Sequence, residues 1–206
     1  MRDRGITNPG LKASVATALA VCGLSASVWS FTGATPTPGS TEAVARTLGT
    51  VTLVVGALMA LNYLYALSLV RKLRRGEGVI AKWIVPSAEF DRFRAVERAR
   101  KKRKNNWRMP RGDWPSGLPV AFGANAVLVG NTYFQLRAKG MSRFCNIRIE
   151  TDVVSSVEFA MRLTIYGAGT LNQMARYRGH LRVPISKVAN VEAARVVGHF
   201  QQVIAA

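Results

Sequence analysis

Residues 48–70 read LGTVTLVVGALMALNYLYALSLV, 23 in a row without a charge, and RKLRR follows at once. At 1.5 Å of rise per residue, such a helix reaches roughly 35 Å, enough to cross a hydrocarbon core of about 30 Å with some tilt. The run predicts a membrane-crossing helix (48–70). The cluster of Arg71, Lys72, Arg74 and Arg75 marks its cytoplasmic end by the positive-inside rule.

A second uncharged run precedes it. Residues 13–34 hold 22 positions rich in Ala, Ser and Val, with Trp29 and Phe31 near the far end, where interfacial aromatics belong. A short basic segment (1–12; Arg2, Arg4, Lys12) leads in. A cleaved signal peptide also begins this way. The length of the apolar run and the lack of an A-x-A site favour a retained span. Residues 35–47 begin TPTPGST and read as an external loop with only Glu42 and Arg46 charged. Positive residues flank the hairpin outside its two arms, so both termini are expected in the cytoplasm, across a bacterial inner membrane.

Small residues recur on both spans: Thr52, Gly56 and Ala60 on the second, Gly23 and Ser27 on the first. Such faces let helix backbones approach closely. The simplest use is packing within one hairpin; a homo-oligomer is the other. No ionisable residue lies within either span (13–34, 48–70), which argues against a proton-coupled transporter or ion pump.

Charge then bears on the remainder. The chain has 206 residues, with 29 Lys plus Arg against 11 Asp plus Glu, a formal net charge of +18. From Arg71 onward, 25 basic and 9 acidic residues leave +16, so nearly all the excess lies in residues 71–206. Such a segment calls for an anionic partner: phospholipid headgroups, nucleic acid or an acidic protein face. A second cluster, Arg98, Arg100, Lys101, Lys102, Arg103 and Lys104, lies at the end of a helix-like stretch. Both clusters are candidate lipid or anion contacts, at about 1 kcal/mol per cation near an anionic leaflet.

The elements of 71–206 follow from pattern. VIAKWIV (79–85) reads as a strand. Ser87 suits an N-cap, and a helix is expected over 88–104 with Phe90, Phe93 and Val96 inward. The loop 105–117 carries Trp107 and Trp114, which fit a membrane interface or a core alike. Strands follow at 118–122, 126–129 and 132–137, split by turn residues. SRFCNIRIE (142–150) alternates, 154–166 is one long strand or two short ones, and 175–185 is another. A helix over 188–204, capped by Asn190, carries an apolar stripe of Val191, Ala194, Val197, Val203 and Ile204.

The expected fold is therefore a membrane α-hairpin followed by an α+β domain. It has an antiparallel sheet, one helix inserted after the first strand, and a C-terminal helix closing the open end of the bent sheet. The chain resembles an uncharacterised family of two-span bacterial membrane proteins. Gly78, Ala81 and Trp83 in the first strand match its pattern, as do Phe90 and Phe93, Val127 to Gly130 with Tyr133, Val183-Pro184, and Glu192-Ala193. The resemblance implies a cytosolic pleckstrin-homology-like domain and no known activity.

Catalytic constellations are sparse. His180 and His199 have no acid or nucleophile at a telling spacing and read as surface or capping residues. Gly167-x-Gly169 lacks the remainder of a phosphate-binding fingerprint and reads as a turn. Arg111-Gly112-Asp113 spells an adhesion tripeptide but falls on the cytoplasmic side. Cys22 and Cys145 read as small buried hydrophobes, in neither a disulfide nor a zinc site. No cofactor is expected. The sequence points to a non-enzymatic membrane protein whose basic domain binds anionic lipid or docks a protein partner. A subunit of a larger membrane complex and a tether for nucleic acid are the alternatives.

Overall fold

Two helices of 23 and 35 residues carry the apolar runs: α1 (Pro9–Phe31) and α2 (Thr41–Arg75). The computed structural model describes residues 5–32, 40–101, 104–110, 112–140, 142–151, 153–166 and 174–205. It divides into two compact units, Thr7–Arg71 and Lys72–Ala206, the latter including Ile6. The segments holding Arg2, Arg4, Lys102, Arg103, Arg111 and Gly167–Gly169 lie outside the described residues, as do residues 35–39 of the expected 35–47 loop, while 41–47 are helical and belong to α2.

Both helices are longer than their apolar runs. Pro9 opens α1 in the first turn, where its missing N–H costs nothing. The start of α2 lies at Thr41 rather than 48, because Ser40 caps it. The Ala43 N–H donates to Ser40 Oγ (3.2 Å) and the Val44 N–H to Ser40 O (3.1 Å). Glu42 then stands in the first turn, where the helix dipole favours an acid.

Within the hairpin unit the usual distribution of side chains is inverted. The buried positions of α1 are Pro9, Ala13, Ala16, Gly23, Ser27 and Ser30, with Ala20 half-buried between them. Their spacing alternates three and four, the seam of a left-handed helix pair. Gly49, Leu53, Gly56 and Ala60 make the matching line on α2. A Cβ on Gly23 would stand 2.8 Å from Gly49 O and 2.8 Å from Leu53 Cα; one on Gly56 would stand 2.7 Å from Ala20 N. The backbones touch there, and Ser27 Oγ meets Thr50 Oγ1 at 3.5 Å. Large side chains, Leu19, Leu24, Val28, Val54, Leu58 and Leu61 among them, point outward. Thr52 is half-buried beside the seam, and Gly49 occupies the place the sequence pattern gave it.

In the second unit, β2 (Val79–Val85) is followed by α3 (Ser87–Ala99) and then by β3 (Leu118–Gly123), β4 (Ala126–Val129) and β5 (Thr132–Gln135). β2 to β5 pair antiparallel in a sheet ordered β1-β5-β4-β3-β2, with the short β1 (Ile6–Thr7) at its edge. A second sheet holds β6 (Ser142–Glu150), β7 (Ser156–Tyr166) and β8 (Met174–Pro184) in order. The C-terminal α4 (Asn190–Ala205) packs beside β6 and β2.

Alternation supplies the core. Trp83 and Val85, Val120 and Phe122, Ile147, Phe159 and Val183 all face between the sheets. Phe200 of α4 closes that interior. Its ring meets Phe144, Phe159 and Phe122 edge-on, at 5.4, 5.3 and 6.5 Å between centroids, a favoured geometry for aromatic quadrupoles. Trp83 stacks on Phe122 at 5.2 Å and donates from Nε1 to Pro184 O (3.0 Å), joining the two sheets.

Several local expectations need correction. The helix of 88–104 ends at Ala99, with Arg100 in extended backbone. A continuation through RKKRK would stack like charges at i+3 and i+4. Pro86, not Ser87, is the N-cap of α3, and no side chain caps it. Asn190 is the first residue of α4, where it donates from Nδ2 to Lys187 O (3.3 Å). The buried stripe of α4 is Ala193, Val196 and Phe200, with Val197 and Val203 beside it, while Val191 is 71 % exposed. Both cysteines are exposed rather than buried. Cys22 faces out of the hairpin seam. Cys145 lies at the β-bulge between Phe144 and Asn146, where the ladder skips it. Trp107 is a core residue at 2 % exposure, and Trp114 is packed against the core.

Candidate functional site, the charged face of the second sheet

The outer face of β6, β7 and β8 collects charge in ranks set by strand register. Arg148, Glu158 and Arg182 stand abreast. Asn146, Ala160 and His180 form the next rank, and Arg143, Arg162 and Arg178 the one beyond. Side chains in one rank share a face of the sheet, within about 5.5 Å of the neighbouring strand's residue.

The first rank is neutralised. Arg182, fully buried, donates from Nη1 to both carboxylate oxygens of Glu97 at 3.0 and 2.9 Å. Its Nε lies 3.0 Å from Glu150 Oε2 and 3.4 Å from Glu158 Oε1. Arg148 meets Glu158 Oε2 at 2.6 Å, and His180 Nδ1 lies 2.8 Å from Glu158 Oε1. Arg100 spans Glu97 and Glu150, at 3.2 Å each. Three guanidiniums thus face three carboxylates, which is what a buried charge requires. Burial pushes the Glu158 carboxyl up. The hydrogen bond and charge of Arg148, with Arg182 and His180, outweigh it and hold the group below the ordinary glutamate value.

Local sequence places these groups. Glu97 is on the buried face of α3, and α3 ends two residues on, which turns Arg100 back toward Glu150. Asn105 then runs beside β8: its Nδ2 donates to Arg182 O (2.8 Å), and Asn106 N–H donates to His180 O (2.7 Å). Gly179 makes room, since a Cβ there would lie 3.0 Å from Asn106 Cγ.

A cavity of about 180 Å³ opens on the second rank, lined by Asn146, Arg148, Glu158, Ala160 and His180. Its lining has no hydroxyl or thiol to act as a nucleophile, and Glu158 already meets Arg148, Arg182 and His180. The arrangement suits recognition of a small polar or anionic group. Among the described residues, no group of three His, Cys, Asp or Glu side chains is placed to hold a metal ion.

The third rank is different. Arg143 and Arg178 are exposed and Arg162 half-buried. Among the described residues, no carboxylate pairs with any of them.

The sequence-predicted contacts are divided by the fold. Arg71, Lys72, Arg74 and Arg75 lie exposed on the last turns of α2; Arg74 donates to Asn131 Oδ1 (2.9 Å), and Arg75 pairs with Glu77 (3.0 Å). Arg98, Lys101 and Lys104 are exposed, whereas Arg100 belongs to the ion-pair network. Gly23, Ser27, Gly56 and Ala60 come together in the hairpin seam. Sequence reasoning missed the arginine rank and the role of His180, which pairs with Glu158; His199 meets Ala124 O at 3.1 Å. A signal was present: Arg178, His180 and Arg182 recur at every second position, a basic stripe on one side of a strand. Compared with family models, curated proteins and solved structures, the chain matches none.

Proposed function

We propose that the chain is a non-enzymatic inner-membrane protein that presents a basic, pleckstrin-homology-like domain to the anionic cytoplasmic leaflet. The observation carrying this reading is the inverted hairpin: small side chains inside, leucines and valines outside, ending in four exposed cations. In water such a surface would be unfavourable, at about 25 cal/mol per Å² of apolar area; in lipid it is the expected one. The four-strand meander β2 to β5, the three-strand β6 to β8 and the closing α4 support the pleckstrin-homology-like assignment. The basic flanks support a cytoplasmic position for both termini. The seam occupies the small-residue faces within one chain, so packing of these two helices against another chain would use their bulky outer faces.

The full chain is reconstituted into bilayers with neutral or anionic lipid and digested with trypsin at low salt. Cleavage after residues 71–75 and 98–104 slows in the anionic bilayer, and raised salt restores it. Equal cleavage in both bilayers would end the lipid reading. Extraction of the protein by alkaline carbonate would end the membrane reading itself.

A further inference from the structure

We infer that Arg143, Arg162 and Arg178 form a binding site for a ligand that carries two neighbouring phosphates. The inference rests on the reading of the domain as an anion-facing one and names the surface and the chemistry.

The three arginines stand on directly paired positions of three adjacent strands. Strands lie about 4.8 Å apart, so the rank spans roughly 10 Å. Like charges directly opposite one another destabilise a sheet. Two ranks away, on the same face, the same sheet matches arginines with glutamates. The chain has eleven acidic residues, and those among the described residues stand elsewhere. A guanidinium offers a planar fork that fits phosphate in two-pronged fashion. Three forks spread over a roughly 10 Å row reach beyond the oxygens of one phosphate and match two adjacent ones. Asn146 and His180, in the rank between, border the row with polar groups beside the 180 Å³ cavity.

The phosphates have two sources, a soluble diphosphate or a two-phosphate lipid headgroup. The full chain is therefore tested twice, with inorganic pyrophosphate in neutral micelles and in nanodiscs containing either cardiolipin or phosphatidylglycerol at matched charge. Binding by calorimetry, or a raised melting temperature, is expected with pyrophosphate or cardiolipin. Replacement of one arginine (R143Q, R162Q or R178Q) should weaken it about tenfold, and the triple replacement should remove it. Arg195→Gln, at an exposed position of α4, should leave it unchanged.

Without ligand at low salt, R162Q should melt no lower than the parent, since it relieves repulsion. A lower melting temperature would assign the row a packing role and overturn the proposal. So would unchanged binding by the triple variant, or a single-stranded oligonucleotide outcompeting both probes with steep salt dependence. If trypsin protection fails while pyrophosphate binds, the lipid reading falls and the site stands. Protection that persists with no effect of the triple variant leaves the lipid reading and removes the site.

Discussion

Arg182 and Glu97 face each other with both carboxylate oxygens within 3.0 Å of one guanidinium nitrogen, and neither residue is more than 6 % exposed. This pair ties the last turn of α3 to β8. Breaking a buried pair by removing one partner leaves an uncompensated charge and costs about 3–5 kcal/mol. Arg182→Met strips Glu97, Glu150 and Glu158 of a shared cation and should lower stability by roughly that amount. The urea midpoint of the full chain in detergent measures it. Glu97→Gln, which keeps shape and leaves Arg182 two other glutamates, should cost less.

The Glu158 carboxyl is held below its ordinary value, so its contribution to stability is complete above the unfolded-state value of about 4.3. It is lost as pH falls from there through the lowered folded value. The melting temperature should therefore decline on that acid limb. Glu158→Gln should flatten this part of the curve while lowering stability at neutral pH. An acid limb of the same slope in the variant would contradict the assignment.

The hairpin seam predicts a size limit. Gly23→Leu or Gly56→Val drives a side chain into backbone atoms that stand under 3 Å from a bare Cβ. Overpacking of this kind costs about 1–3 kcal/mol, more where backbone must shift. Thermal melting in detergent should fall clearly for both. Leu58→Val, on the outer face, should be nearly silent.

Arg46 closes the far end of α1. Its Nη2 donates to Ser30 O at 2.7 Å, one of the carbonyls a helix terminus leaves without a partner, and its guanidinium sits 4.2 Å from the centre of the Phe31 ring. Arg46→Ala should cost about 1–2 kcal/mol and speed amide exchange selectively in the last turn of α1 and the first of α2. Uniform acceleration along both helices would point to global loosening instead.

Much of the layout was legible because periodicity and turn residues encode it. The apolar runs located both long helices. VIAKWIV and SRFCNIRIE gave strands whose bounds the structure repeats. What escaped depended on tertiary pairing. Arg100 reads as one more cation in a basic run until Glu97 and Glu150 meet it. Phe200 is absent from the expected apolar stripe of α4, yet three rings converge on it. The early stop of α3 delivers Arg100 to an ion-pair network spread over positions 97 to 182, which no local window contains. The arginine rank needed the register between strands, and only its β8 member lay in a stripe visible in one segment.

The inverted hairpin has a consequence for how this chain tolerates change. In most folded units, exposed positions accept substitution and buried ones resist loss of bulk. Here Ala13, Ala16, Gly23, Ser27 and Ser30 are already near the smallest size available. Variation on that line can proceed only toward larger residues, which the facing backbone refuses. The outward leucines and valines can exchange freely for one another. A catalogue of viable variants should show a fixed stripe of the simplest residues inside a drifting field of large apolar ones, with polarity rather than volume as the boundary on the outside.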